Sequence, residues 1–283
     1  MKPLYEDQIH VGPFLDLTDY IWSDDVSRSV KGGVWDYFKG ISEKHSKPLI
    51  GYTNIPPSGI IFVGMCHIIE DIFRGLPPGG SYIIIHRPSD RSFTEEIYKV
   101  KPPSVKYIYT VDCRVNREDV FAIPFGNGSI YGHDGTVIEV AKEDISPAVT
   151  KIFCRMNINP ATIHRNEAIR KLKNKPFVKM IEEQISREEF CRQIKAHKFT
   201  MGLAGCGMDA ARQWAAIQLG SIPIVTDCIE MRHFEDLPLV YCPENMDDIT
   251  EEWLDGQDVS SKSTERMRMS YWENHINRMK NML

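Results

Sequence analysis

Short apolar runs alternate along the chain with polar stretches of helical spacing. Residues 60–63 and 82–85 are continuous apolar runs of strand length, and Pro77-Pro78-Gly79-Gly80 turns the chain into the second. Residues 65–74, between them, carry the helical pattern. Residues 106–111 and 120–123 read as two further strands, the latter closed by Pro124-Phe125-Gly126-Asn127-Gly128. The scheme resumes with a strand at 151–154, a helix near 162–172 and a helix opened by the capping-box pair Ser186 and Glu189. Strands alternating with helices predict parallel sheets with right-handed crossovers. Polar residues and Pro147 interrupt the pattern at 139–150, which marks the join between two such halves.

The clearest unit follows. Residues 199–203 are a short buried strand, Gly205 and Gly207 a glycine turn, and Asp209 stands where an N-cap or first-turn acid of the next helix belongs. Gly220 stops that helix, and Pro223 lies in the strand that follows it. The open amides at such a helix start attract anions, and the glycine turn leaves room for a phosphate against the backbone. After Gly256 a polar linker leads into a helix over 264–283, whose Met267, Tyr271, His275, Met279 and Leu283 form a packing stripe. The fold class expected is α/β: two Rossmann-like domains with parallel sheets facing a central cleft, covering residues 1–147 and 148–256. Residues 257–283 form a C-terminal helix that packs back on the first domain.

Composition narrows the classes. The chain has 283 residues, 42% hydrophobic and 26% charged, with a net charge of -5. No apolar run is long enough to span a bilayer, and the first residues lack the apolar core of a secretion signal, so the expectation is a cytoplasmic protein, or one of the host cytoplasm if viral. The seven cysteines are scattered and show no C-x-x-C spacing, which points to reduced core thiols rather than disulfides or zinc. One basic run stands out: Arg165, Arg170, Lys171, Lys173, Lys175 and Lys179 against the single acid Glu167. It reads either as a solvated helix face or as a local nucleic-acid patch.

The run from Lys198 and Phe199 through Gly205, Gly207, Asp209, Arg212 and Trp214 to Gly220-Ser221-Ile222-Pro223-Ile224-Val225 resembles the C-terminal signature of exostosin-like glycosyltransferases and their bacterial and viral soluble relatives. The resemblance extends from about residue 151 to 254 and is thin before it. Two positions depart from the signature: its proline is Ala204 and its glutamate after the tryptophan is Ala215. The resemblance implies a two-domain GT-B enzyme that transfers a sugar from a nucleotide-sugar donor, with the nucleotide sugar as co-substrate and no other cofactor. It further implies that a glutamate should hold the donor ribose; here that role is unfilled or falls to Asp209, Asp227 or Glu230.

On that footing the donor-binding residues are Arg155, Asn157, Asn159, Arg165, Gly205, Gly207, Asp209 and Arg212. No two aspartates are spaced as Asp-x-Asp, so arginines and helix-start amides are expected to neutralise the leaving diphosphate and no metal site is assigned. Asn159 before Pro160 reads equally as a turn former, and Asp209 either binds a donor hydroxyl or caps its helix. The acceptor side falls on His86-Arg87-Pro88-Ser89-Asp90, with His86 or Asp90 as the catalytic base and His67 as a competitor. Trp22 stands beside Asp24 and Asp25 as an aromatic able to stack on a sugar or base. Three functions follow: transfer to a glycan or small-molecule acceptor; a phage-type DNA glycosyltransferase acting on 5-hydroxymethylpyrimidine; or a catalytically silent nucleotide-sugar-binding protein.

Overall fold

Continuous apolar runs are what a strand covered on both faces requires, and they lie at the centre of two parallel sheets. The computed structural model describes residues 3–23, 34–64, 68–87, 91–126, 135–156, 163–205 and 207–283. In the first sheet the strands are β1 (Tyr20–Trp22), β2 (Leu49–Ile50), β3 (Ser58–Val63), β4 (Ser81–His86), β5 (Val105–Thr110) and β6 (Val120–Ala122), in the spatial order β2-β1-β3-β4-β5-β6. In the second they are β7 (Ile152–Cys154), β8 (Val178–Met180), β9 (Phe199–Met201), β10 (Ile222–Val225) and β11 (Val240–Tyr241), in the order β11-β10-β9-β7-β8. Every neighbouring pair is parallel. The protein is therefore α/β with two parallel sheets.

Both sheets run second-first-third-fourth-fifth from one side. The order reverses between β1 and β3 in one sheet and between β7 and β9 in the other, and open parallel sheets receive ligands beyond the carboxyl ends of strands at such a reversal.

Two compact units divide the chain. One comprises Met1–His10 with Pro124–Tyr271, the other Val11–Ile123 with Trp272–Leu283. The division falls after Ile123, ahead of the join at 147/148 expected from the sequence. The reason lies in the helix Gly135–Lys142, whose Val137 and Val140 are buried in one apolar cluster with Phe153, Cys191 and Ile194. A proline and several polar residues follow that helix, which disguised it as a linker. The first ten residues also belong with the second sheet: Gln8 bridges to Arg268, and Asp7 Oδ1 accepts from the Ser270 N–H at 3.0 Å.

The last helix, Met269–Lys280, carries the residues from Trp272 onward into the unit of the first sheet. There Tyr109 and His275 Nδ1 share a 2.8 Å hydrogen bond, and Lys280 pairs with Asp19 at 2.9 Å. Trp272 and Ile276 are buried beside the expected stripe, of which Met267 and Met279 are buried, Tyr271 and His275 half-buried and Leu283 exposed. Among the described residues no helix is long and apolar enough to cross a membrane.

Candidate functional site at the ends of β7 and β9

The helix Ala211–Gln218 fixes one wall of the site. Its far end is a Schellman stop: Gly220 has φ +82°, its N–H bonds Ile217 O at 3.2 Å, and Ser221 N–H bonds Ala216 O at 2.9 Å. Its near end corrects the sequence reading. The N-cap is Ala210, whose N–H donates to Gln213 Oε1 at 2.8 Å, and Asp209 lies one residue outside. The Asp209 carboxylate turns inward instead. One oxygen accepts the indole N–H of the fully buried Trp214, and the other accepts the Phe125 N–H at 2.7 Å. Asp209 is thus an anchor between two chain segments.

Ala204, in the signature's proline position, uses the amide hydrogen that proline lacks, donating to Thr226 Oγ1 at 3.0 Å. Ala215, in the glutamate position, is wholly buried in the cluster of Val137, Phe153, Cys191 and Ile194, where no ionised side chain would find a partner.

Arg165 and Gly205 fit one another. Arg165 is 8% exposed and donates through Nε and Nη2 to Leu203 O at 3.2 and 3.1 Å. A Cβ on Gly205 would stand 2.3 Å from Arg165 Nη2. Glycine is needed here for space, so that the guanidinium can lie against the turn. Gly207 accepts the Gly205 N–H at 2.9 Å and closes the turn.

Beside this turn a pocket of about 560 Å³ is lined by Arg155, Ser186, Arg187, Phe190, Ala210 and Arg212. Arg155 follows β7 directly. Ser186 caps the helix Arg187–Ala196, accepting from the Glu189 N–H at 3.0 Å, so the starts of two helices, at Arg187 and Ala211, both lie on the pocket. Glu189 does not reciprocate the cap: its carboxylate takes Gln193 Nε2 at 2.8 Å. The Arg187 guanidinium lies 5.4 Å above the Phe190 ring.

Arg212 is the electrostatic centre. Burial pushes its pKa down to about 10, and the nearby charges of Arg165, Arg155 and Arg187 push the same way. Among the described residues its only hydrogen bond is Nη1 to Arg155 O at 3.3 Å, and no carboxylate pairs with it. A partly desolvated cation among like charges is poorly satisfied until an anion arrives. Arg187 and Phe190 were not singled out in the sequence; the Ser186 cap was the available signal, because it fixes where a helix starts.

The other expected residues divide as follows. Asn157, Asn159 and Asp90 lie outside the described residues, as do His67, Asp24 and Asp25. Trp22 is fully buried and meets Tyr52 edge-on at 5.1 Å, so its face is not offered to a ligand. Asp227 is tied to Arg232 by two bonds of 2.7 and 2.9 Å. Glu230, 2% exposed, follows the end of β10 in the helix Ile229–Arg232.

His86 ends β4 and is 2% exposed, with Nδ1 3.0 Å from Thr110 Oγ1. Thr110 Oγ1 in turn donates to Val111 O at 3.0 Å.

The basic run is paired in part. Lys171 pairs with Asp247 at 2.8 Å and Glu167 at 3.3 Å, Lys173 pairs with Glu182 at 2.6 Å, and Lys175 donates to Ile249 O at 2.8 Å. The described cysteines, Cys113, Cys154, Cys191, Cys228 and Cys242, form no disulfide, and burial raises the thiols of Cys154, Cys228 and Cys242 to about 12.

No family model matches the chain, and no curated protein matches it at a significant level. The class that fold and site define is an α/β protein with a cationic pocket beyond the strand ends of its second sheet.

Proposed function

We propose that the protein is a glycosyltransferase of the GT-B type, similar to the exostosin-like enzymes, acting without a metal on a nucleotide-sugar donor and a glycan or small hydroxyl acceptor. One observation carries the reading: Arg155, Arg187 and Arg212 converge on a pocket at the order reversal of a parallel sheet, and Arg212 lacks a carboxylate partner among the described residues. Arginine suits the paired oxygens of a diphosphate, and fixed positive groups stabilise the charge that develops as the glycosidic bond breaks. The charge of the buried Arg165 acts on Arg212 from behind that pocket's lining. Asp209 and Asp227 are tied to protein partners, and the donor ribose is assigned to Glu230, in the helix that follows β10. His86, at the end of β4, is assigned to take the acceptor proton.

Lys171 and Lys173 are already paired with carboxylates and would add few new phosphate contacts, which argues against a DNA acceptor. The buried Ala215 keeps a silent binding protein in play as the second reading.

The test is incubation with UDP-, GDP-, ADP- and CMP-sugars in excess EDTA, with acceptor pools of glycans and small alcohols. Release of free nucleotide above the uncatalysed rate, undiminished by EDTA, supports the reading. Stabilisation by a nucleotide sugar without turnover selects the silent binder, and no interaction with any of them overturns both.

A further inference from the structure

We infer that Gln213 is a positioning residue: its buried carboxamide clasps the loop between β9 and the helix Ala211–Gln218 and so sets where Arg212 and the helix start face the pocket. The inference rests on the reading of that pocket as a diphosphate site and assigns the residue that holds it in shape. Gln213 is fully buried and meets no ligand itself.

The loop leaves β9 at Gly202 and reaches the helix at its N-cap, Ala210. Gln213 bonds both ends of it. Nε2 donates to Gly202 O at 2.6 Å and to Met208 O at 3.3 Å, and Oε1 accepts the Ala210 N–H at 2.8 Å. A carboxamide carries two donors on one side and an acceptor on the other, and here all three are used. Asparagine is one methylene too short for the same reach, glutamate has no donor when ionised, and methionine offers no N–H or oxygen. Room for the side chain comes from Gly202, where a Cβ would stand 2.9 Å from Gln213 Cγ.

The pocket wall depends on this clasp. Ala210, Ala211 and Arg212 line the pocket, and Gln213 is the next residue along, its own N–H bonded to Ala210 O at 2.9 Å. Remove the carboxamide and the Ala210 N–H loses the Oε1 that it bonds, while Gly202 and Met208 are no longer tied to the helix. Groups that bind an anion must be held to within about 0.5 Å of their working positions. A loop fixed at both ends by one side chain meets that demand before any ligand arrives, and a released loop does not.

Calorimetric titration with pyrophosphate in EDTA, from about pH 8.5 down to about pH 5.5, decides the matter for wild type, Gln213→Met and Gln213→Glu. Each affinity is read on the folded fraction as a ratio to wild type at the same pH, which removes the protonation of pyrophosphate itself. Gln213→Met, neutral and of similar volume, is expected to bind about tenfold or more weakly, with a ratio that does not change with pH. Gln213→Glu should lose at least as much at the alkaline end, where its carboxylate can only accept. Its ratio should rise as pH falls, because burial lifts that carboxyl's pKa into the range scanned and the acid regains one donor. A glutamine that served stability alone would lower the urea midpoint when replaced and leave both ratios near one. Gly202→Ala, which presses on Gln213 Cγ, should reproduce the loss and serves if neither Gln213 variant folds. A methionine variant within about threefold of wild type, or a glutamate ratio that stays flat with pH, overturns the inference and leaves the anion site standing. A wild type that binds no pyrophosphate at millimolar concentration removes both.

Discussion

Gly205 lies so close to the Arg165 guanidinium that a Cβ would stand 2.3 Å from Nη2, while Arg165 itself is held by Leu203 O at 3.1 Å. The glycine turn and the buried arginine are two halves of one feature. A turn glycine is usually argued from a left-handed backbone, yet this one is required by a side chain 40 positions earlier in the sequence.

Gly205→Ala is therefore expected to separate binding from stability. The clashing atom is the end of a flexible side chain, so the fold should lose little, within about 1 kcal/mol, as Arg165 swings away. Nucleotide affinity should fall about tenfold or more. Urea denaturation beside calorimetry checks this, and an unchanged affinity would sink the assignment of the turn to the anion site.

Arg212→Met should make the protein more stable and less able to bind. Burial first, then the neighbouring arginines, hold the Arg212 pKa near 10 against the ordinary 12.5, so the cation is penalised in the folded state. Below pH 10 both states are protonated and the penalty is present in full. It is relieved only as pH rises from about 10 to 12.5, where the unfolded chain alone still holds the proton. At neutral pH the methionine variant should melt a few degrees higher, about 2–4 °C for a chain of this size. Added pyrophosphate should raise the melting temperature of the wild type and not of the variant.

Asp209→Asn should be nearly as damaging as Asp209→Ala. The Trp214 indole and the Phe125 N–H, which the carboxylate accepts, are both donors. An asparagine must turn its own N–H₂ toward one of them, leaving a buried donor unmet at about 1–3 kcal/mol. Chemical denaturation would show the loss. Nucleotide affinity measured on the folded fraction should stay within about threefold of wild type; a large loss of affinity without a loss of stability would reinstate Asp209 as a ligand contact.

His197 should make the second sheet's unit sensitive to acid. Burial, followed by the Lys179 charge, lowers its pKa from 6.5 against an opposing bond to Gln193 O at 2.6 Å, and Thr150 Oγ1 sits 2.9 Å from Nε2. Because the folded pKa is depressed, the unfolded chain takes up the proton first as pH falls below 6.5, and stability declines there. Urea midpoints measured from pH 7.5 downward should fall more steeply in the wild type than in His197→Gln; parallel slopes would show that His197 takes up its proton equally in the folded and unfolded states.

The chain's local chemistry determined the parallel strands and the signature unit. Ile60, Ile61, Phe62 and Val63 could only be a covered strand, and Gly220 could only stop a helix that ended in a left-handed residue. Ser186 announced its helix by the same local logic, and Arg155, Arg165 and Arg212 were legible as the candidate cations because they flank strands and a glycine turn. The two- and three-residue strands Tyr20–Trp22, Leu49–Ile50 and Val178–Met180 were not legible, because they are too short to show a period and are strands only through their neighbours' hydrogen bonds. Tertiary structure alone decided that Asp209 serves Phe125, 84 residues away, and that Arg187 and Phe190 share a pocket with Arg212. Side-chain partners of that separation leave no spacing in the sequence: a carboxylate that caps a helix and one that anchors an indole look the same until the chain has closed around them.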